Sequence, residues 1–250
     1  MSRIASTARY AVLVYLSAIV STNCDAQQSQ FQFLPEAVVY YKASQAVRLE
    51  FESDETQEAD QPTQGEIGAS VDFFVKPLPL LEKTRIFDPD KAKSQLMEFY
   101  VGYRFVPSPG QLPIDRMEVG FVSRFPLPAR VLLSDRNEAD LDWFKGGFNW
   151  FYVNEPTLQR EFTIHSYKPA PYFGAAFFYA SPDHGWSTGI SVGVLLPAGK
   201  RLALSPYYER EYVTGPPDER FNQMGVALYL FPGREKKPEQ LGPRERGSTG

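Results

Sequence analysis

Four charged side chains occupy every second position between 136 and 142: Arg136, Glu138, Asp140 and Asp142. In an extended chain, neighbouring side chains point to opposite faces, so this spacing puts all four on one face in steps of about 7 Å. The same alternation groups Arg48, Glu50 and Glu52, sets Asp72 apart from its apolar neighbours, and pairs Glu98 with Arg104 and Arg116 with Glu118. Closed into a barrel, these twelve residues would line its lumen. Acids exceed bases among them, so a water-filled path would carry a negative potential and favour cations over anions. The competing expectation, and the favoured one, is that the charges pair across strands and fill a narrow bore.

No catalytic residue is assigned. His165 and His184 are the only histidines. A serine nucleophile needs a histidine within hydrogen-bond reach, and in a strand His165 and Ser166 would point apart. An acyl hydrolase would therefore need a serine from another strand. His184 falls in the turn sequence Pro182-Asp183-His184-Gly185. Two separated histidines make no zinc set, and neither metal nor cofactor is expected.

The elements that would position these residues are strands. From Leu34 onward, apolar residues recur with period two. Val47, Leu49 and Phe51 oppose Arg48, Glu50 and Glu52; Met97, Phe99, Val101, Tyr103 and Phe105 oppose Glu98, Gly102 and Arg104. This rhythm predicts about twelve strands: 34–43, 45–54, 66–76, 95–106, 113–125, 129–143, 147–155, 157–165, 171–180, 186–196, 201–213 and 221–231. Turn-forming sequences separate them, such as Pro107-Ser108-Pro109-Gly110, Lys145-Gly146-Gly147 and Pro197-Ala198-Gly199. Residues 77–94 stand outside the rhythm as the longest connection, expected to be a surface loop with one helical turn. An even strand count would leave both termini at the same end.

Three features favour lipid over a soluble β-sandwich or a lipocalin-like binder. Most predicted strands approach the 9–11 residues that cross a bilayer at a tilt, whereas soluble strands average about 5–6. Aromatic residues gather near strand ends, at Phe125, Trp143, Tyr172, Tyr179, Trp186 and Phe231, as interfacial girdles require. Full charges sit mid-strand, where a charge facing hydrocarbon costs about 2–4 kcal/mol, so Glu50, Asp72, Arg104 and Glu138 must face inward.

Residues 1–26 read as a signal peptide: Arg3 and Arg9, an apolar run from Tyr10 to Val20, and small residues before a cut at Gln27. Cys24 is the only cysteine, and Ser21 and Asn23 depart from a lipid-attachment pattern; cleavage after Ala26 leaves no thiol in the mature chain. Residues 27–231 form the barrel domain, and 232–250, rich in Pro, Gly and charge, form a disordered tail. A formal charge of −4 without a basic run in the folded region excludes nucleic acid as a partner.

Several segments resemble one family. Ser134 to Glu138 with Asp142-Trp143, Phe148-Asn149-Trp150, Phe162 to Tyr167, Pro171-Tyr172, Phe177-Phe178-Tyr179, Pro206 to Arg210 and Asn222 to Gly225 are similar to bacterial outer-membrane-type proteins of domain of unknown function 2490. The likeness runs from Glu36 to Phe231. It departs where Phe151, Val153 and Glu155 replace an alternating arginine row and Ala176 replaces an acid. The resemblance implies a barrel and an exported location, and supplies no activity.

The sequence thus predicts an all-β, transmembrane antiparallel β-barrel of about twelve strands in the bacterial outer membrane. Its role is expected to be non-enzymatic, as a narrow pore or a structural membrane component. Its partners are outer-membrane lipids, small solutes or ions as cargo, and the barrel assembly machinery during biogenesis. The alternatives are a lipid-modifying acyl hydrolase and a soluble β-sandwich or lipocalin-like protein.

Overall fold

Among the described residues, eleven strands of 10–14 residues follow one another in chain order and close into a single barrel. The computed structural model describes residues 29–58, 64–75, 86–107, 113–181, 185–214 and 219–232. The strands are β1 (Ser29–Lys42), β2 (Val47–Glu58), β3 (Gln64–Phe74), β4 (Met97–Val106), β5 (Ile114–Leu127), β6 (Val131–Phe144), β7 (Gly147–Arg160), β8 (Ala170–Ala180), β9 (Gly185–Pro197), β10 (Leu202–Val213) and β11 (Glu219–Leu230). The expected signal peptide with Cys24, residues 77–85, His184 and the sequence beyond Pro232 lie outside the described residues.

Each strand pairs antiparallel with its sequence neighbour, and β1 closes on β11 in parallel, from Ser29↔Arg220 to Val39↔Leu230. The parallel closure follows from the odd count. An up-and-down chain of eleven strands returns with its first and last strands running the same way. The expectation of termini at one end is therefore corrected: β1 starts at one mouth and β11 ends at the other.

The strand count differs from twelve because the expected strands 147–155 and 157–165 are one element, β7. Pro156 falls between those two ranges. It is accommodated because its missing N–H interrupts only one ladder. Pairing with β6 is continuous through Asp135↔Pro156, while pairing with β8 skips from Asn154↔Phe177 to Thr157↔Gly174. Pro35 and Pro206 act alike, breaking β1–β2 and β9–β10 respectively. They share one row, Pro35↔Val226↔Pro206.

The barrel is inverted relative to a soluble protein. Its outer surface exposes Ile67 (64 %), Phe51 (50 %), Phe173 (50 %) and Trp186 (54 %), while Asp72 (1 %) and Glu98 (4 %) are buried within. Tyr172 and Tyr207 lie inside across Gly193 and Gly225 of the neighbouring strands, where any Cβ would meet the tyrosine ring. This corrects Tyr172 as a girdle residue: its hydroxyl reaches Ser205 at 3.2 Å in the bore. Phe231 also turns inward and stacks on Tyr40 at 5.3 Å. Of the other expected positions, Phe125 is exposed on the outer face, and Trp143, Tyr179 and Trp186 make outward ring contacts. Trp143 meets Phe148 at 5.4 Å, and Tyr179 lies between Trp150 and Trp186 at 5.1 and 5.0 Å.

Candidate functional site

All twelve sequence-selected charges lie on the inward faces of β2 to β6, where adjacent register brings them together. Asp72 pairs with Arg48, Glu118 with Asp140, and Arg116 with Asp142. They form two groups along the bore.

The first group surrounds Arg48 near one mouth. Its Nε donates to Asp72 at 2.5 Å, Nη1 to Asp90 at 2.9 Å and Nη2 to Glu98 at 2.7 Å, with Glu50 at 3.7 Å. The Tyr40 ring covers the guanidinium at 4.1 Å, and Arg124 holds the second oxygen of Glu98 at 2.5 Å. A planar guanidinium with fixed donors suits several carboxylates at once.

The second group runs towards the other mouth. Arg104 bridges Glu52 at 2.7 Å and Asp54 at 3.1 Å, and contacts Glu118. Arg116 joins Asp142 at 2.8 Å and Glu66 at 3.4 Å. Arg136 meets Glu155 at 3.0 Å and Glu138 at 3.8 Å, and Glu138 accepts from the Tyr100 hydroxyl at 2.6 Å. Arg48, Arg104 and Arg116 thus each reach past the adjacent strand to the next one, tying β2 to β6 together along one wall of the bore. Glu118, Glu138 and Asp140 bring carboxylate oxygens within 4.8 Å of one another, an oxygen set of the kind hard cations take. Phe151 sits opposite Asp140, whose Oδ1 has no hydrogen-bond partner among the described residues.

The remaining wall, β8 to β11, alternates small inward residues (Gly174, Ala176, Gly189, Gly193, Ala203 and Ala227) with Tyr172, Tyr207, Glu209 and Glu211. The bore therefore carries its arginine-bridged charges on one side, and small residues interspersed with tyrosines and two glutamates on the other. Between these walls lies a cavity of about 380 Å³, lined among others by Glu36, Glu50, Tyr40, Tyr100, Tyr172 and Tyr229.

One mouth is stoppered. Residues 86–95 fold into it as successive turns, which corrects the expected surface loop with a helical turn. Ile86 packs on fully buried Leu132 of β6, and Phe87 sits edge-on to Phe231 at 5.9 Å. Asp90 takes the Arg48 hydrogen bond, the Lys42 ammonium caps the Asp90 carbonyl, and Lys93 donates to Gln159 of β7 at 3.0 Å. Burial alone would raise the Asp90 carboxyl, yet the charge and hydrogen bonds of Arg48 hold it below the ordinary value. Burial pushes Asp88 up against its hydrogen bond from Ser94. Burial also lowers the Lys93 ammonium to about 8, with Asp88 opposing and Arg124 reinforcing the shift.

Asp54, Glu66 and Arg124 escaped selection although the same alternation carries them inward. Asp90 and Lys93 left no periodic signal, because they come from a connection. His165 is placed at the tip of an exposed turn between Ile164 and Tyr167, not in a strand. No serine hydrogen-bonds to it among the described residues.

No family model, curated protein or solved structure matches this chain.

Proposed function

We propose that this protein is an outer-membrane β-barrel with a closed bore, a structural membrane component and not an open pore or an enzyme. The observation that carries the reading is the inverted barrel: apolar side chains outside, a charged lattice inside. In water, exposed apolar area of this extent is a liability, whereas in a bilayer it is the required surface. Strands of 10–14 residues have the length to cross at a tilt. Closure without edges leaves no unpaired sheet margin for lipid to meet. The signal-peptide sequence and the resemblance to domain of unknown function 2490 both support export. One closed sheet leaves no second layer for a β-sandwich, and a charged bore does not suit a lipocalin-like apolar ligand.

The closed state is supported by the stopper at one mouth, held there through Arg48 and Asp90, and by the arginine-bridged carboxylates that fill one side of the interior. Fractionation and recording test the two parts separately. The protein should remain with outer membranes after a carbonate wash and shift its electrophoretic mobility on heating in detergent. In planar bilayers the purified barrel should give no unitary conductance. Steady open steps would overturn the closed bore and leave the membrane reading intact; recovery in the soluble fraction would end both.

A further inference from the structure

The two mouths differ in charge, and nothing in the closed bore uses that difference. At the stoppered mouth, the connections carry exposed Lys91, Arg130, Arg160, Lys168, Lys200 and Arg201. No exposed acidic side chain accompanies them among the described residues of that rim. Asp88 and Asp90 turn into the stopper, and Glu161 is covered, 3.9 Å from Lys168. At the opposite mouth, the described residues include exposed Asp115 beside Lys145 and Arg220. The sequence of its connections 59–63, 108–112, 182–184 and 215–218 adds three aspartates and no lysine or arginine.

We infer that the stoppered rim binds phosphate-bearing lipid headgroups of the outer leaflet, so that this mouth faces the cell exterior. The inference rests on the membrane reading above. The basic side chains come from four separate connections and do not converge on one pocket, which fits a ring of headgroups better than a single soluble anion. They also border the lipid-facing belt: the Arg160 guanidinium lies 4.9 Å over the ring of exposed Phe162, and Arg130 follows exposed Phe125 and Leu127. A long cationic side chain at that level keeps its stem on apolar surface and its charge among headgroups. Each such charge near an anionic surface contributes about 1 kcal/mol of attraction, or roughly fivefold in affinity.

Orientation follows from the same features. The two longest connections, 75–96 and 161–169, both open at the stoppered mouth, and in outer-membrane barrels longer loops lie outside. The parallel closure puts the start of β1 at the other mouth, the side from which an exported chain arrives. The C-terminal sequence after Pro232 then begins on the basic side and adds five Lys/Arg against three Glu.

Two measurements decide this. In a Cys24→Ser background, His165→Cys and Lys145→Cys are exposed to a membrane-impermeant maleimide. Residue 165 should label in intact cells, and residue 145 only after permeabilisation; the reverse pattern overturns the orientation. The full-length barrel is then reconstituted in zwitterionic vesicles with or without phosphate-bearing lipid A, and its thermal mobility shift is recorded. Lipid A should raise the midpoint for the native protein. The gain should vanish in high salt, and in Arg130→Glu/Lys168→Glu/Arg201→Glu, whose lipid A affinity should fall on the order of tenfold or more. An equal gain in the triple variant, or no gain in the native barrel, overturns the headgroup site. Either failure in a protein that still shifts on heating spares the membrane reading, whereas loss of the heat shift in the native protein condemns that reading itself.

Discussion

Arg48 donates hydrogen bonds from all three guanidinium nitrogens, to Asp72 of β3, Asp90 of the stopper and Glu98 of β4. Desolvating so many charges is costly, and an ion-paired interior is by itself weak evidence of stability. Removing the shared cation is a different matter, since three carboxylates then lose their counter-charge together. Arg48→Met should therefore destabilise the folded barrel by about 3–5 kcal/mol, the range for breaking a buried pair. Arg48→Lys should fall between, because a compact ammonium cannot reproduce the planar fork. Urea unfolding in detergent micelles measures the order; a methionine variant as stable as the native protein would show that the lattice is ornamental. At this scale the sequence was informative wherever alternation applied. Arg48, Asp72 and Glu98 declare their face by period two, but Asp90 is supplied by a turn, and no periodicity marks a turn residue as the third partner.

The stopper and the prolines show where element-level reading succeeds and where it stops. Strand positions follow from apolar alternation, and the expected ranges 147–155 and 157–165 divide at Pro156, where a proline inside a run normally demotes it. A strand has two neighbours, however, and a missing N–H disables one ladder only. That local error also hid the parity of the barrel, hence the parallel β1–β11 closure. The stopper has a titratable element property of its own. While it is seated, burial lowers Lys93 to about 8, against 10.5 for a free lysine. Below pH 8 both seated and released forms are protonated, and seating carries the full desolvation penalty. Between about 8 and 10.5 the seated form has lost its proton while the released form keeps it. The released form then binds more protons, so seating strengthens as pH rises. A nitroxide on Lys91→Cys, in the Cys24→Ser background, should lose mobile fraction between pH 7.5 and 9.5. The trend should flatten with Lys93→Met, and a mobile fraction that grows with pH would contradict the assigned role of Lys93.

For the whole molecule, the decisive property is which surface meets which solvent, and this can be tested with one charge placed on either side of the wall. Val101 sits mid-strand on the outer face, 41 % exposed, in a row with Val71 and Val119. In a bilayer this row lies near mid-depth, where a lysine costs about 2–4 kcal/mol of insertion free energy. Ser70 points inward on β3, directly opposite Glu50 on β2, and borders the cavity. A lysine there gains a carboxylate partner in a bore with acid to spare, and its cost should stay below about 1 kcal/mol, the ordinary scale of a tolerated ion pair. Refolding into lipid vesicles across a urea series should therefore separate Val101→Lys from Ser70→Lys by at least about fivefold in the folding equilibrium. In a soluble barrel the order would invert, because Val101→Lys would merely add a hydrated charge to an apolar surface while Ser70→Lys would keep its small interior cost. The comparison holds the added group constant and varies only the side of the sheet, so its sign reports directly whether hydrocarbon or water lies outside the wall.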